Sequence, residues 1–256
     1  MAHCGGRSGC TRRTGAAAVA RADTTSTTGS ISCFPGCPGH ARETAHSTPS
    51  RQRGAGMKVR NLSVAGAIEF TPEMYEDQRG SFTSPFQEAA FAKAVGHPRF
   101  PLAQVSHSRS RRGALRGVHY TRTPPGMAKY VYCLSGRALD IVVDLRVGSP
   151  TFGRCDTTEL DGESCRAVYV PVGVGHAFVA LRDDTLMSYL MSGGYEPERE
   201  LAVSALDPEL ALPLPPGLAP LLSDRDRTAP TLAEARSRGD LPDYRASVEA
   251  AEALCE

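Results

Sequence analysis

From residue 129 to residue 191 the chain alternates short runs of β-branched, aromatic and aliphatic residues with turn signals. That rhythm restricts it to very few architectures. Lys129-Tyr130-Val131-Tyr132-Cys133-Leu134 runs into Ser135-Gly136, and residues 138–145 are followed by Gly148-Ser149-Pro150. Residues 154–160 end at Asp161-Gly162, and Arg166-Ala167-Val168-Tyr169-Val170 ends at Pro171-Val172-Gly173. Residues 176–181 and 185–191 flank Arg182-Asp183-Asp184. Turns recurring about every 8–12 residues between such runs indicate an antiparallel sandwich or barrel. The expectation is therefore an all-β jelly roll, open at one end to small molecules. Helical spacing is confined to residues 88–95 and 231–238. The proline-rich residues 212–220 are expected to pack over the barrel, and residues 247–256 to form a short helical or frayed tail.

Composition divides the 256 residues in two. Residues 1–56 carry seven Arg against two acids, four of the eight Cys and a single aromatic, Phe34, among runs of Gly, Ser, Thr and Ala. Such a segment buries too little apolar surface to offset its ordering entropy, so it is expected to be a disordered or over-extended N-terminal segment, with Met57 as the natural start. Arg12-Arg13 precedes an apolar run too short for a twin-arginine signal. Cys4, Cys10, Cys33 and Cys37 lack zinc-knuckle spacing, and Cys133, Cys155, Cys165 and Cys255 read as free thiols of a reducing cytoplasm. The net charge of +1 argues against nucleic acid as the main partner. No apolar run approaches the roughly 20 residues of a membrane span. Residues 57–256 are read as one domain.

Within that domain, polar residues interrupt strand-like runs. In Arg116-Gly117-Val118-His119-Tyr120, regular alternation puts His119 on the face opposite Arg116. Taken alone, an inward His is first a hydrogen-bonded core residue. Lys129, one of only three lysines, is first a strand-edge side chain reaching solvent, and Tyr189, spaced for one face with Met187 and Met191, is first a core tyrosine. His97, His107, His119 and His176 are too far apart for the His-x-His cluster of a metal cupin. Gly-x-Ser-x-Gly, Gly-x-Gly-x-x-Gly and phosphate-loop motifs are missing from the sequence, so an enzyme of this kind would work by metal-free acid–base catalysis.

Seven motifs then fall in one order: Asp77-Gln78-Arg79-Gly80; His107-Ser108-x-Ser110; Leu115-Arg116-Gly117-Val118-His119-Tyr120 with Lys129; Val142-Val143-Asp144-Leu145-Arg146; Ser149-Pro150-Thr151-Phe152-Gly153; Pro171-x-Gly173-x-Gly175-His176-Ala177-Phe178; and Leu222-Ser223-x-x-Asp226. Together they resemble the dTDP-4-dehydrorhamnose 3,5-epimerase family, and within it the enzymes of antibiotic deoxysugar pathways, over residues 57–245. The resemblance implies a cytoplasmic homodimer with the cupin-type double-stranded β-helix fold, a few short helices, and no metal or organic cofactor. It implies a dTDP-4-keto-6-deoxyhexose as substrate, inverted at C3, C5 or both through an enolate. By the same resemblance His119 is the base, Asp226 its partner, Tyr189 the acid on the far face, and Lys129 the residue at the developing oxyanion. Arg79, Arg116 and Arg225 match diphosphate and sugar contacts, and Gln104, His176 and Glu200 further substrate contacts. Ser84, Val105, Ser106 and Gly194 depart from the family pattern and bear on the thymidine and sugar contacts. The alternatives are a 3,4-ketoisomerase on the same fold and a non-catalytic sugar-nucleotide-binding cupin.

Overall fold

The computed structural model describes residues 56–254, so the expectations placed on residues 1–55 and on Cys255 lie outside the described residues. The described chain begins with β1 (Lys58–Asn61), β2 (Ile68–Thr71), a hairpin of β3 (Met74–Asp77) and β4 (Gly80–Thr83), and helix α1 (Glu88–Val95). Then come β5 (Gln104–Ser110), β6 (Leu115–Thr121), β7 (Lys129–Ser135) and β8 (Arg137–Asp144). They are followed by β9 (Cys155–Asp161), β10 (Ala167–Val170), β11 (Val174–Ala180), β12 (Thr185–Met191) and β13 (Glu200–Ala202). Helices α2 (Asp224–Arg227), α3 (Leu232–Ser237) and α4 (Tyr244–Ala253) close the fold. Each run read as a strand between residues 129 and 191 is one, and β12 has the expected bounds.

Two facing antiparallel sheets form the cupin-type jelly roll. One has the order β1-β2-β10-β7-β12-β5, the other β13-β6-β11-β8-β9. Period-two alternation explains why they face each other. On β7, Val131 and Cys133 point between the sheets to meet Val142 and Phe178 of the second sheet and Met187 of β12. Tyr130 points outward to Phe70 and to Phe91 of α1. Burying each such side chain contributes roughly 1.5–3 kcal/mol.

The outer face of the five-stranded sheet is covered by the C-terminal third. Leu210, Leu212, Leu214, Leu218, Leu222 and Leu232 pack on a cluster containing Val118, Tyr120, Ile141 and Val143, as expected of the proline-rich segment. Helix α3 carries a capping box between Thr231 and Glu234. The tail helix α4 starts earlier than expected, because Asp243 accepts from the Ala246 N–H and caps it. Among the described residues, no helix is long and apolar enough to cross a membrane.

Candidate active site

The apolar core stops short of one end of the sandwich, leaving a cavity of about 380 Å³. Its walls come from the inward faces of β5, β6, β7, β11 and β12, with Glu200 of β13 and Arg225 of α2. Gln104, Arg116, His119, Lys129, His176, Tyr189, Glu200 and Arg225 line it, and Asp226 stands behind His119. Nine of the ten residues singled out from the sequence are thus brought together. The tenth, Arg79, is not: it lies exposed at the β3–β4 turn, paired with Asp77 at 3.0 Å.

His119 and Arg116 share the cavity wall, which corrects the expectation from regular alternation. In the β6–β11 pair His119 lies opposite His176, but Arg116 lies opposite Phe178, so β6 holds one residue more than its partner between these points. The bulge falls at Gly117-Val118 and rotates Arg116 onto the face of His119, while Leu115, Val118 and Tyr120 stay in the outer core. Gly117 has φ +111°, and a Cβ there would sit 2.4 Å from the His176 carbonyl oxygen. Only glycine fits.

His119 Nε2 lies 2.5 Å from Asp226 Oδ1. With that nitrogen donating to the carboxylate, the lone pair sits on Nδ1, which has no hydrogen-bond partner among the described residues. Asp226 is held in place from its own backbone. Ser223 caps α2 by accepting from the Asp226 N–H at 3.1 Å, and Leu221 bridges the start of β6 through Leu115 N–H at 3.0 Å. Burial pushes the Asp226 carboxyl up, but hydrogen bonds from His119 and Ser223 and the nearby Arg225 charge outweigh it and hold the group below the usual carboxylate range.

Lys129 is buried, not a strand-edge side chain in solvent, and its ammonium makes no hydrogen bond to a described residue. Burial lowers its pKa; the Glu200 carboxylate opposes this and Arg225 adds to it. Glu200 is oriented by Thr121, whose hydroxyl donates to it at 2.8 Å, and Arg225 donates to the Glu200 carbonyl at 2.9 Å. On the same sheet as His119, His176 bonds Asp140 at 2.6 Å, and its ring lies 6.3 Å from that of Tyr189 on the opposite sheet. Tyr189 is partly buried, and burial drives its pKa well above the tyrosine range.

Sequence reasoning missed the rail of hydroxyls on β5. Ser106, Ser108 and Ser110 share the inward face, and each holds a cavity residue: Ser106 accepts from Gln104 Nε2 at 2.8 Å, Ser108 bonds the Tyr189 hydroxyl at 3.0 Å, and Ser110 accepts from Arg116 Nε at 3.2 Å. The signal was the spacing of two in Ser106-x-Ser108-x-Ser110. Of the departures from the family pattern, Ser106 lines the cavity, Val105 points to solvent, and a Cβ at Gly194 would meet nothing within 4 Å, while the next residue, Tyr195, lines the cavity. Among the described residues no three His, Cys, Asp or Glu side chains converge in a metal-binding arrangement.

An imidazole backed by a carboxylate on one sheet, a phenol on the other and a buried ammonium in the same cavity can remove and return a proton on two sides of one small molecule. Residues 61–234 match the sequence model of a family described as dTDP-4-dehydrorhamnose 3,5-epimerase. The chain belongs to this epimerase family. It is 50% identical over 185 residues to the dTDP-4-dehydro-6-deoxyglucose 3-epimerase of Streptomyces bikiniensis, covering 72% of this chain and 94% of that protein. It is 48% identical over 188 residues to a dTDP-4-dehydrorhamnose 3,5-epimerase of Mycolicibacterium smegmatis, covering 73% and 92%. Among epimerases of known structure, ChmJ, a 3'-monoepimerase from Streptomyces bikiniensis in complex with dTDP-quinovose, superimposes with a TM-score of 0.72 at 49% identity, covering 75% of this chain and 97% of that one. The Mycobacterium tuberculosis rmlC epimerase gives 0.74 at 44% identity, covering 77% and 100%.

Proposed function

We propose that this epimerase acts on a dTDP-linked 4-keto-6-deoxyhexose in deoxysugar biosynthesis, inverting C3, C5 or both through an enolate. The observation that carries the reading is the placement of the His119–Asp226 couple and Tyr189 on facing sheets around one cavity. The 4-keto group acidifies the protons on C3 and C5. His119 Nδ1 takes one of them, and Asp226, ionised and bonded to Nε2, stabilises the imidazolium that forms. The electron pair moves onto the ketone oxygen, and the Lys129 ammonium meets the charge that develops there. Glu200 supports that ammonium electrostatically. Tyr189 then returns a proton to the same carbon from the other face, and the centre is inverted.

Arg116 and Arg225 offer guanidinium donors to the diphosphate, while Gln104, His176 and Glu200 contact the sugar and nucleotide. Arg79 fits this scheme through a second copy of the chain. Its exposed hairpin also carries the exposed Tyr75 and Phe82, so the working enzyme in this reading is a homodimer. Light scattering at twice the 27.2 kDa chain mass is the expected result, and a monomer at working concentration would remove the role given to Arg79. Cys133, Cys155 and Cys165 are free thiols, which supports placing the enzyme in the cytoplasm.

Incubation with dTDP-4-keto-6-deoxyglucose in D2O, followed by proton NMR, tests the activity. Deuterium is expected at C3, C5 or both, together with a product of inverted configuration. No incorporation at either carbon would leave a binding protein and not an epimerase.

A further inference from the structure

A phenol that gives up its proton must be recharged before the next turnover, and here it sits partly buried in the cavity wall. The Tyr189 hydroxyl has one hydrogen-bond partner among the described residues, Ser108 Oγ at 3.0 Å. Ser108 comes from β5, the last strand of the six-stranded sheet, with β12 on one side and no strand on the other among the described residues. Its neighbours Val105, His107 and Arg109 are exposed, whereas Ser108 itself lines the cavity. One hydroxyl therefore touches both the phenol and the open cavity.

We propose that Ser108 is the positioning and proton-resupply residue for Tyr189, holding the phenol toward the cavity and passing it a proton after each donation. The proposal rests on the epimerase reading and deepens it. When the enolate carbon forms its new C–H bond, the O–H bond of Tyr189 breaks. The Ser108 O–H proton then moves to the phenolate oxygen, and a water molecule restores the Ser108 O–H. The hydroxide left behind is neutralised by the proton that the His119 imidazolium releases to solvent, so no proton is consumed over the cycle. Burial favours this resupply, because it disfavours a phenolate at Tyr189, whereas the hydrogen bond with Ser108 acts in the opposite direction. The same strand uses the same device twice more, with Ser106 on Gln104 and Ser110 on Arg116, so Ser108 belongs to a row of orienting hydroxyls.

Ser108→Ala and Ser108→Thr, each checked for native unfolding behaviour, separate this role from a structural one. In D2O the rate of inversion and the rate of deuterium exchange with retained configuration are read at the same carbon, with KM and the pH profile of kcat. Ser108→Ala is expected to lower kcat for inversion by about 10- to 100-fold, the lower range for proton-transfer groups, with KM within about twofold and exchange largely kept. Loss of the hydroxyl also moves the alkaline limb that belongs to the phenol to higher pH. Ser108→Thr is expected to recover inversion to within about threefold of the parent. An unchanged ratio of inversion to exchange in Ser108→Ala, or a threonine variant no better than alanine, overturns the proposal. Tyr189→Phe run in parallel tells the two readings apart. If it leaves that ratio unchanged the acid assignment itself fails, whereas a changed ratio there beside an unchanged one in Ser108→Ala rejects Ser108 alone.

Discussion

Lys129 shows most sharply how one side chain is set against the stability of its own fold. The other two lysines, Lys58 and Lys93, are exposed, but Lys129 is buried in the cavity wall, where its ammonium is desolvated and faces Glu200 without a hydrogen bond to it. A pKa lowered by folding means that the unfolded chain binds the proton more tightly. The cost is complete below the folded pKa and disappears as pH rises from there to the unfolded value of about 10.4. Lys129→Met should therefore unfold at a higher temperature than the parent at pH 7, by about 2–4 °C for each kcal/mol recovered, with the gap narrowing in alkaline solution. Its kcat should fall by about 10²–10³, the range for removing one donor at a developing oxyanion. A variant of equal or lower stability with near-parent kcat would place the ammonium elsewhere than at the enolate. Lys129 and Tyr189 could not be assigned from local pattern alone: a lysine at a strand start and a tyrosine between methionines look the same whether they face solvent, core or cavity. It was the order of motifs around them that singled them out, and the fold that brought them together.

At the level of the element, β6 decides the geometry of the base. Alternation placed Arg116 and His119 on opposite faces, and one inserted residue at Gly117-Val118 puts them on the same one. The bulge was not legible because a glycine within a strand marks a bulge, a bend or a close backbone approach with equal right. Here it marks two of them, since Gly117 combines φ +111° with the approach of the His176 carbonyl. Gly117→Ala should cost on the order of 2–4 kcal/mol in chemical denaturation and remove most activity, because the strand must shift to admit the methyl group and His119 shifts with it. Parent-like stability and activity in that variant would mean that the bulge does not set the position of His119. On β5 the opposite holds. The serine spacing was plain in the sequence, but its use depended on which partners β12 and β6 would bring across, and that is a matter of register.

For the molecule as a whole, the strand rhythm of residues 129–191 was enough to indicate an all-β jelly roll, because six consecutive runs keep one inward face. The proline-rich segment was legible for a related reason: its leucines needed a surface, and the outer face of the five-stranded sheet supplies it. Helix α2 was not legible. Four residues show no periodicity, yet they carry Asp226 to His119 across 107 positions of sequence. Arg79 is the one residue singled out from the sequence that the fold does not bring to the cavity, since its motif lies on the exposed β3–β4 hairpin. The account depends on the two sheets having separate tasks, with the proton leaving to His119 on one and arriving from Tyr189 on the other. The most direct measurement is proton NMR in D2O of His119→Ala and Tyr189→Phe beside the parent enzyme. His119→Ala should stop exchange and inversion together, while Tyr189→Phe should keep exchanging with retained configuration as inversion falls by at least about 10². Equal loss of both in Tyr189→Phe, or exchange near the parent rate in His119→Ala, would contradict it.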